Sequence, residues 1–286
     1  MNILEARAVL FAAIEGGSPF WSGEIESQGP IGVVEKAEAG GYDPIKFAKT
    51  LQKIKNSDPS QILEKIINSG GHLITQEDHL WPPQLDDLAS PPIALVVRGV
   101  VESLHLPSLA IVGTRNPTNY GVRVAGDFAA GFVDREWSIV SGGAYGIDAA
   151  AHRGALVAEG ITVAVLAAGI DINYPAGHLR LFEEIMESGL LVSEVMPGVS
   201  AIPSRFLTRN RLIAALSRAT LVVEAAFRSG SLRTARDAAE LMRPVMAIPG
   251  PITSPTSEGC HRLIGERAAE VVTSVADAVE FIGSSR

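Results

Sequence analysis

From residue 108 onward, short apolar runs alternate with stretches long enough to form helices, and this alternation limits the possible folds most. The runs are rich in β-branched residues and apolar throughout, as in TVAVLAA and TLVVEAA, which is typical of strands buried on both faces of a sheet. The spacing predicts an α/β, doubly wound, mainly parallel sheet. The predicted strands are 109–112, 138–140, 162–166, 190–193, 220–224, 245–248 and 271–272.

The sequence before this region has a different pattern. Residues 1–75 contain short amphipathic segments broken by Gly, Ser and Pro turns, which predicts a small helical domain. Residues 80–108 contain two proline pairs that exclude a long helix. Trp81 and Leu85 in this stretch require burial, so we predict an ordered connector at the start of a second domain, 76–286.

Composition excludes several classes of protein. The 286 residues are 47% hydrophobic and 20% charged, which provides a sizeable core and excludes long disorder. The longest apolar run, 161–170, is shorter than the roughly 20 residues of a transmembrane helix, and the N-terminus lacks the basic start of a signal peptide. The one cysteine, Cys260, cannot form an internal disulfide. We therefore expect a cytoplasmic protein with no membrane partner.

Charge is distributed unevenly along the chain. The net charge is −8, which taken alone argues against nucleic-acid binding. Between Arg205 and Arg243, however, eight arginines stand against three acidic residues, a local net charge of +5. All six lysines lie at or before Lys65. A local basic patch is therefore compatible with an acidic chain.

The first candidate motif is IVGTRN, at the end of the first predicted parallel strand. Gly113 permits a tight turn, so that Thr114 and Arg115 are presented at the carboxyl edge of the sheet, where ligands bind in doubly wound folds. Arginine can bind a phosphate through two N–H groups. The alternative is a surface arginine that caps a turn, and we favour the phosphate contact because of the position.

The second motif, SIVSGGAYGIDAAAH, leads from a strand through a glycine-rich loop into a helix. Gly142 and Gly143 free backbone N–H groups in front of a helix N-terminus, which favours an anion. The loop is neither GxGxxG nor GxxxxGK[ST], and the next strand ends without an acidic residue. A dinucleotide site is therefore weakly supported, and we do not expect a nucleoside-triphosphate loop.

Asp148 and His152 in this motif lie four residues apart on one helix. They could form an acid–base pair, but we favour the alternative, which is a surface ion pair or a helix cap. The sequence contains no HExxH, Cys/His cluster or GxSxG. We therefore expect neither a metal, a cofactor nor an enzyme, but backbone amides and arginines that bind.

The third motif is SRFLTRNRLIAALS. Its helical periodicity places Asn210 and Arg211 away from the apolar face. Arg209 lies on the apolar side, but at the helix start, where it can project off the end. Phe206 could stack on a base, and arginines beside an aromatic ring suit a single-stranded backbone. An amphipathic helix with solvated arginines is an equally good interpretation.

The fourth motif, TLVVEAAFRSGSLRTA, contains a Ser229-Gly230-Ser231 turn between a strand and a helix. Ser231 is a good N-cap residue, and free N–H groups beside it could bind a phosphate. The alternative is an ordinary Gly/Ser connection. Spacing of four residues predicts two surface ion pairs on the helix, Arg233 with Asp237 and Arg236 with Glu240.

Taken together, these motifs resemble the DNA-processing protein A (DprA, or Smf) family over about residues 78–282. The segments that carry the resemblance occur in order: LWPPQLDDLASPPIALVVRG, IVGTR, SGGAYGIDAAAH, VAVLAAGIDINYP, LLVSE, FLTRNRLIAALS, LVVEAAFRSGSLRTA, AIPGPITSPTSEGCHRLI and VVTS.

The resemblance implies an extended Rossmann-like domain that binds single-stranded DNA without catalysis. It further implies a homodimer that displaces single-strand-binding protein and delivers the strand to a RecA-type recombinase during uptake of transforming DNA. The DNA-binding residues that it implies are Gly113, Thr114, Arg115, Gly142, Gly143, Phe206, Arg209, Asn210, Arg211, Ser229, Gly230 and Ser231.

Two departures from the family pattern stand out. Many relatives carry a C-terminal winged-helix-like domain, which we do not expect here because the sequence stops at Arg286. Many relatives also carry a lysine after the GIDxxYP segment, where this chain offers only His178 or Arg180 as cations. The first 75 residues match less well, and the family leads us to expect a sterile-alpha-motif or helix-hairpin-helix module there.

Two other functions stay open at this point. The glycine-rich loops could belong to a nucleotide-processing enzyme or nucleotide sensor on a related Rossmann variant, although the PGGxGTxxE pattern of phosphoribohydrolases is absent. The chain could also be a structural module whose arginines are merely solvated. Salt-dependent binding of single-stranded DNA separates both from the leading hypothesis.

Overall fold

The computed structural model of the chain, which describes residues 1–284, contains a nine-stranded sheet. The predicted second domain ends at residue 286, and its last two residues lie outside the described part. The strands are β1 (His72–Ile74), β2 (Leu95–Gly99), β3 (Ser108–Val112), β4 (Ser138–Ser141), β5 (Thr162–Leu166), β6 (Leu190–Ser193), β7 (Ala219–Val222), β8 (Val245–Ala247) and β9 (Glu270–Val271).

The order of the strands in the sheet is β1-β2-β6-β5-β4-β3-β7-β8-β9. All neighbours from β6 to β9 pair in parallel, whereas β1 with β2 and β2 with β6 pair antiparallel. This order confirms the prediction of a mainly parallel, doubly wound α/β sheet.

Helices cover both faces of the sheet. They are α1 (Ile3–Ala13), α2 (Pro19–Glu38), α3 (Ala48–Asn56), α4 (Pro59–Asn68), α5 (Asn119–Val133), α6 (Ile147–Val157), α7 (Leu179–Ser188), α8 (Pro203–Leu216), α9 (Ser231–Glu240), α10 (Glu258–Gly265) and α11 (Val275–Ser284). Helix α2 is kinked at Gly29, where φ is +71° and Pro30 follows. None of the helices within residues 1–284 combines the length and apolar character needed to cross a membrane.

Strand β3 lies at the switch point of the sheet. The chain moves from β3 outward to β6 and then returns to place β7 on the other side of β3, with Val112 paired to Val222. The carboxyl ends of β3 and β7 therefore lie side by side, with their loops diverging, which opens a crevice at this edge.

The alternation of side chains along β3 divides the core into two layers. Val112 faces a cluster that includes Leu212 of α8 and Leu232 of α9. Ile111 faces the opposite cluster, which includes Phe128 of α5. Because both faces are covered, every residue of β3 is buried, which explains its uniformly apolar sequence.

Strands β1 and β2 were not predicted. They come from the end of the N-terminal segment and from the Pro-rich connector, and they extend the sheet antiparallel beyond β6. The sheet therefore begins at residue 72, inside the predicted helical domain 1–75. Helices α1 and α2 also share a buried cluster with the sheet, in which Leu10 and Val34 pack together with Val96 and Leu191. The division into two domains stays a prediction.

One of the two predicted ion pairs on α9 is absent. Arg233 Nε donates to Asp237 Oδ1 at 2.7 Å, as expected. In the described part of the chain, Arg236 forms no ion pair with Glu240. Asp237 is buried whereas Glu240 is exposed, so only the first pair is held in one geometry by its surroundings.

Candidate functional site

A cleft of about 580 Å³ lies at the switch point, between the ends of β3 and β7 and the first turns of α8 and α9. Most of the predicted site residues line it, although they come from three separate motifs. Those that line it are Gly113, Thr114, Arg115, Phe206, Arg209, Asn210, Ser229, Gly230 and Ser231. Gly142, Gly143 and Arg211 do not line it.

The backbone after β3 forms one rigid wall of the cleft. The Thr114 N–H donates to the Glu224 carbonyl at 2.7 Å, and the Thr114 carbonyl accepts from the Ile147 N–H at 3.1 Å. A Cβ on Gly113 would lie 2.6 Å from Ile147 Cγ1 and 2.7 Å from the Glu224 carbonyl oxygen. Only glycine allows this close approach, and it fixes the direction in which Arg115 leaves the strand.

Arg115 and Phe206 form a stack at the mouth of the cleft. The guanidinium carbon of Arg115 lies 4.9 Å from the centroid of the Phe206 ring. Tyr174 packs against Phe206 with its ring centroid at 5.4 Å. Arg115 is exposed and forms no ion pair with any described residue. Because stacking occupies only the flat face of the guanidinium, its N–H edge is free to bind an anion.

Arg209 lies at the floor of the cleft and is 6% exposed. Its guanidinium lies against Gly142, in space that a side chain at that position would fill. Arg209 donates no hydrogen bond to any residue between 1 and 284, and its Nε is fully shielded from solvent. Burial lowers the pKa of Arg209 to about 10. A buried cation with no acceptor is costly, and an anionic oxygen in the cleft would offset that cost.

Asp148 provides the negative charge nearest to this floor. Burial raises the pKa of the Asp148 carboxyl, and the charge of Arg209 opposes that shift. The carboxylate accepts from the Ala144 N–H at 3.4 Å, so this acid in the first turn of α6 helps to hold the glycine-rich loop. Its charge partly balances Arg209 without giving it a hydrogen bond.

The interpretation of Asp148 and His152 as a surface ion pair is wrong, and so is the acid–base pair. Both residues are buried and share no hydrogen bond. The Nδ1 of His152 lies 2.7 Å from Thr162 Oγ1, and burial lowers the pKa of His152 to about 3. His152 is therefore a neutral core residue that joins α6 to β5.

The turn before α9 forms the opposite wall of the cleft. Helix α9 begins at Ser231 with Gly230 in the N-cap position, so the prediction of Ser231 as the N-cap is wrong. Ser229 Oγ accepts from the Ser231 N–H at 3.3 Å and lies 2.7 Å from Ser231 Oγ. One of the two hydroxyl hydrogens is used between them, which leaves the other for a ligand. Asn210 Nδ2 donates to the Gly230 carbonyl at 3.1 Å and so positions the turn.

Arg211 lies on the other side of α8, away from the cleft. One of its terminal nitrogens donates to both oxygens of Glu194 at 2.6 Å, and the other donates to the Ser90 carbonyl at 2.8 Å. The pair is largely buried, and burial raises the pKa of Glu194 against the opposing charge of Arg211. The alternative of a solvated arginine is wrong for Arg211, because Glu194, directly after β6, binds its guanidinium.

The two glycines of the second motif act behind the cleft. Gly142 makes room for Arg209, as described above. Gly143 adopts a φ of +68°, and its carbonyl lies 2.9 Å from His178 Nδ1. His178 is therefore a buried support of the loop and lies outside the cleft.

Sequence reasoning missed other residues of the cleft. Tyr174 reaches it from the loop after β5, and the only sequence signal is an aromatic residue at a strand end before a proline. Ile202 and Leu207, both exposed, add an apolar rim. Within residues 1–284 no group of three or more His, Cys, Asp or Glu side chains is placed to hold a metal ion. The site presents guanidinium groups, hydroxyls and an aromatic ring.

The chain is similar to several known proteins. A model of the family described as DNA recombination-mediator protein A matches residues 72–283. The chain is 48% identical over 268 residues to a putative DNA processing protein DprA of Mycobacterium tuberculosis, covering 89% of this chain and 69% of the relative. It is 41% identical to DNA processing protein DprA of Streptococcus pneumoniae, covering 71% of each.

Two solved structures resemble the fold closely. DNA processing protein A from Streptococcus pneumoniae superposes with a TM-score of 0.85 at 31% identity, covering 98% of each chain. DNA processing protein A from Helicobacter pylori, described by its single-stranded DNA binding mode, superposes with a TM-score of 0.67 at 31% identity. That match covers 76% of this chain and 96% of the other.

Proposed function

The chain belongs to the DNA recombination-mediator protein A family, and from this premise we propose that it binds single-stranded DNA in the cleft between β3 and β7. A Helicobacter pylori relative binds single-stranded DNA, which supports the proposal. Much of the arginine surplus around α8 and α9 is neutralised, because Arg205, Arg211 and Arg243 bind carboxylates from outside that stretch. The positive charge at the cleft comes instead from Arg115 and Arg209, which form no ion pair with any described residue.

The buried, unpaired Arg209 is the observation that carries the proposal. A cation that has lost its hydration and has no protein acceptor is a strong attractor for a phosphate oxygen. Arg115 offers a second guanidinium at the mouth of the cleft, and a hydroxyl of the Ser229/Ser231 pair offers a neutral donor. We propose that these groups bind consecutive phosphates of one strand.

Phe206 explains why the ligand is a single strand rather than a duplex. Its ring is backed by Arg115 and Tyr174, and it lines the cleft beside the phosphate donors. An unpaired base can stack on such a ring, whereas the bases of a duplex are already stacked on one another. Every base has a flat face that can stack on the Phe206 ring, so we expect little sequence preference.

The predicted site residues divide into two roles in this proposal. Gly113, Thr114, Arg115, Phe206, Arg209, Ser229, Gly230 and Ser231 contact the strand. Asn210, Gly142 and Gly143 position those contacts through the Ser229–Ser231 turn, Arg209 and the glycine-rich loop. We assign no strand contact to Arg211, since Glu194 already binds its guanidinium.

We further propose that the chain acts as a homodimer that displaces single-strand-binding protein and delivers the strand to a RecA-type recombinase. Family membership supports this proposal. It is tested by the recombinase ATPase rate on DNA coated with single-strand-binding protein, with and without the chain. For the alternative of a nucleotide-processing enzyme, the glycine-rich loops remain, but Asp148 and His152 offer no acid–base pair.

The binding test uses a labelled oligo(dT) of roughly 30 nucleotides, longer than the roughly 4–16 nucleotides of one comparable site. Affinity is measured across a salt series for the wild type, Arg115→Ala and a control, Arg123→Ala. Arg123 is a highly exposed arginine of α5, paired at 3.6 Å with Asp127, and it lies outside the cleft. Each phosphate contact contributes about −0.7 to the slope of the logarithm of the binding constant against the logarithm of the salt concentration.

We expect Arg115→Ala to bind about tenfold more weakly, with a slope shallower by about 0.7, and Arg123→Ala to bind like the wild type. A wild-type slope near zero contradicts the proposal, as does an equal loss in the two variants. Variants of Arg211 are unsuitable for this test, because breaking a buried ion pair destabilises the fold.

A further inference from the structure

The six lysines of the chain are confined to the N-terminal helices and the segments between them, and most of them are unpaired. Between residues 44 and 57 there are four lysines and no acidic residue. Lys49, Lys53 and Lys65 are exposed and form no ion pair within the described chain, whereas Lys36 binds Glu24 at 2.8 Å. The N-terminal helices therefore carry a cationic surface that the cleft does not account for.

Two of these lysines share one face of α3. Lys49 and Lys53 are one helical turn apart, so their side chains lie on the same side. Lys55 follows Lys53 by two residues, and it projects from the opposite side of the same helix. Ile54, between them, is buried in the core cluster shared with the sheet. Helix α3 therefore carries lysines on two sides, with Lys49 and Lys53 on one side and Lys55 on the other.

Glu15 links this face of α3 to the cleft. Arg205, at the start of α8, donates from Nη2 to Glu15 at 2.6 Å and from Nε at 3.0 Å. The hydrogen bond from Arg205 is the main reason why the pKa of Glu15 is lowered, and the charge of Lys53 lowers this pKa further. The charge of Lys53 therefore acts on the Glu15–Arg205 pair at the start of α8, and the next residue of that helix, Phe206, lines the cleft.

Lys65 of α4 lies beside the loop that precedes α8. Its Nζ lies 3.4 Å from the position that a Cβ on Gly198 would take. Gly198 belongs to the loop between β6 and α8, and the end of that loop, at Ile202, lines the rim of the cleft. Lys65 of α4 therefore lies beside the loop that precedes α8, and Lys53 of α3 acts on the ion pair at the start of α8.

We propose that Lys49, Lys53 and Lys65, here called the lysine face, bind phosphates of the strand that occupies the cleft, as it leaves over the start of α8. This inference rests on the proposed function and extends its binding surface onto the N-terminal helices. Exposed, flexible ammonium groups without carboxylate partners suit a backbone that passes without base contacts. The lysine face therefore adds affinity that depends on strand length and not on sequence.

The test compares Lys49→Glu and Lys53→Glu with Lys55→Glu, which makes the same charge change on the other side of α3. Each variant is titrated with oligo(dT) of about 6 and about 30 nucleotides across a salt series, lengths that bracket one comparable site. We expect the first two variants to bind the long strand about fivefold more weakly at low salt, with a slope shallower by about 0.7 each. Binding of the short strand and the behaviour of Lys55→Glu stay at the wild-type level.

Three results would overturn the inference: wild-type affinity for both variants of the lysine face, an equal loss in Lys55→Glu, or an equal loss on the short strand. In each case the Arg115-dependent binding of the wild type can persist, so the proposed function survives. A wild type that binds neither strand removes the proposed function and the inference together.

Discussion

At Gly142 the absence of a side chain makes room for the guanidinium of Arg209. A Cβ there would lie 2.5 Å from Arg209 Cζ and 2.6 Å from its Nη2. Since only the end of a flexible side chain is in the way, we expect Gly142→Ala to displace Arg209 from the cleft floor without unfolding the protein. Loss of one charged hydrogen bond to phosphate predicts about tenfold weaker binding of oligo(dT), measured by fluorescence anisotropy.

Gly126 of α5 is the matched control for this substitution. A Cβ at Gly126 has nothing within 4 Å, so Gly126→Ala adds the same methyl group in open space. We expect its affinity for oligo(dT) to equal that of the wild type and its stability to rise slightly, as for glycine replaced in a helix. Wild-type affinity in Gly142→Ala would show that Arg209 does not contact the strand.

His152 makes the stability of the fold depend on pH. Its folded-state pKa is about 3, below the ordinary value of 6.5, so the unfolded chain takes up a proton first as the pH falls. Stability is fully present above pH 6.5 and is lost as the pH falls toward 3. Between pH 7.5 and 5.0 this group removes about 2 kcal/mol of the free energy of unfolding.

The contribution of His152 is isolated with His152→Asn. The Thr162 hydroxyl donates to the Ile139 carbonyl at 2.8 Å, so its oxygen is left to accept from His152 Nδ1, 2.7 Å away. Asparagine can donate to the same oxygen, but it does not titrate. Urea unfolding at pH 7.5 and 5.0 should show a smaller loss in the variant than in the wild type, by about 2 kcal/mol. Equal losses in both proteins would mean that His152 is not the group responsible.

Arg209 and Arg211 show where sequence reasoning about single residues stops. The family resemblance implied that both arginines bind the ligand, and they lie two residues apart on α8. The structure turns Arg209 toward Gly142 and Arg211 toward Glu194. Helical periodicity separated the two side chains, with Arg209 on the apolar side of α8 and Arg211 away from it, but it could not identify their partners, which come from other elements far away in the sequence.

At the scale of elements, the C-terminus of α8 is held by a residue from outside the helix. The guanidinium of Arg243 donates to the carbonyls of Ala214 at 2.7 Å and Ser217 at 2.8 Å, and also to Ala215. It satisfies carbonyls that have no partner within the helix and places positive charge at the negative end of the helix dipole. Arg243 thereby fixes the helix that carries Arg209.

We expect Arg243→Ala to lower the free energy of unfolding by about 2 to 3 kcal/mol. The control is Arg236→Ala on α9, because Arg236 is exposed and forms no ion pair among the described residues. That substitution should change stability by less than about 0.5 kcal/mol. Urea titrations followed by circular dichroism measure both, and equal stabilities in the two variants would exclude the helix cap.

The elements of the sheet were predictable to different degrees. Strands β3 to β9 were located within one or two residues, because buried parallel strands read as apolar runs between helices. Strands β1 and β2 were missed, since β1 has only three residues and β2 follows a proline pair. The position of the cleft could be predicted, because the motifs follow predicted strands and ligands bind at the carboxyl ends of the strands in such sheets. Its walls depended on tertiary contacts that no local pattern contains.

At the scale of the whole molecule, the N-terminal helices do not form a separate core. Val9 of α1 and Val33 of α2 lie in one buried cluster with Leu166 of β5 and Ile185 of α7. Polar contacts reinforce this junction, because Glu15 after α1 binds Arg205 of α8. A shared core of this kind couples the stability of the N-terminal helices to that of the sheet.

This coupling predicts a single unfolding transition for the whole chain. Trp21 reports on the N-terminal helices, where it is buried, and Trp137 reports on the far side of the sheet, where it packs edge-on against Phe132 at 5.4 Å. Two variants each keep one of these tryptophans, with Trp81 and the other replaced by Phe. Unfolding by urea should give the same midpoint and slope by fluorescence of either probe and by circular dichroism. An earlier transition at Trp21 would mean that residues 1–75 unfold as a domain of their own, and the lysine face would then lose its fixed position beside the cleft.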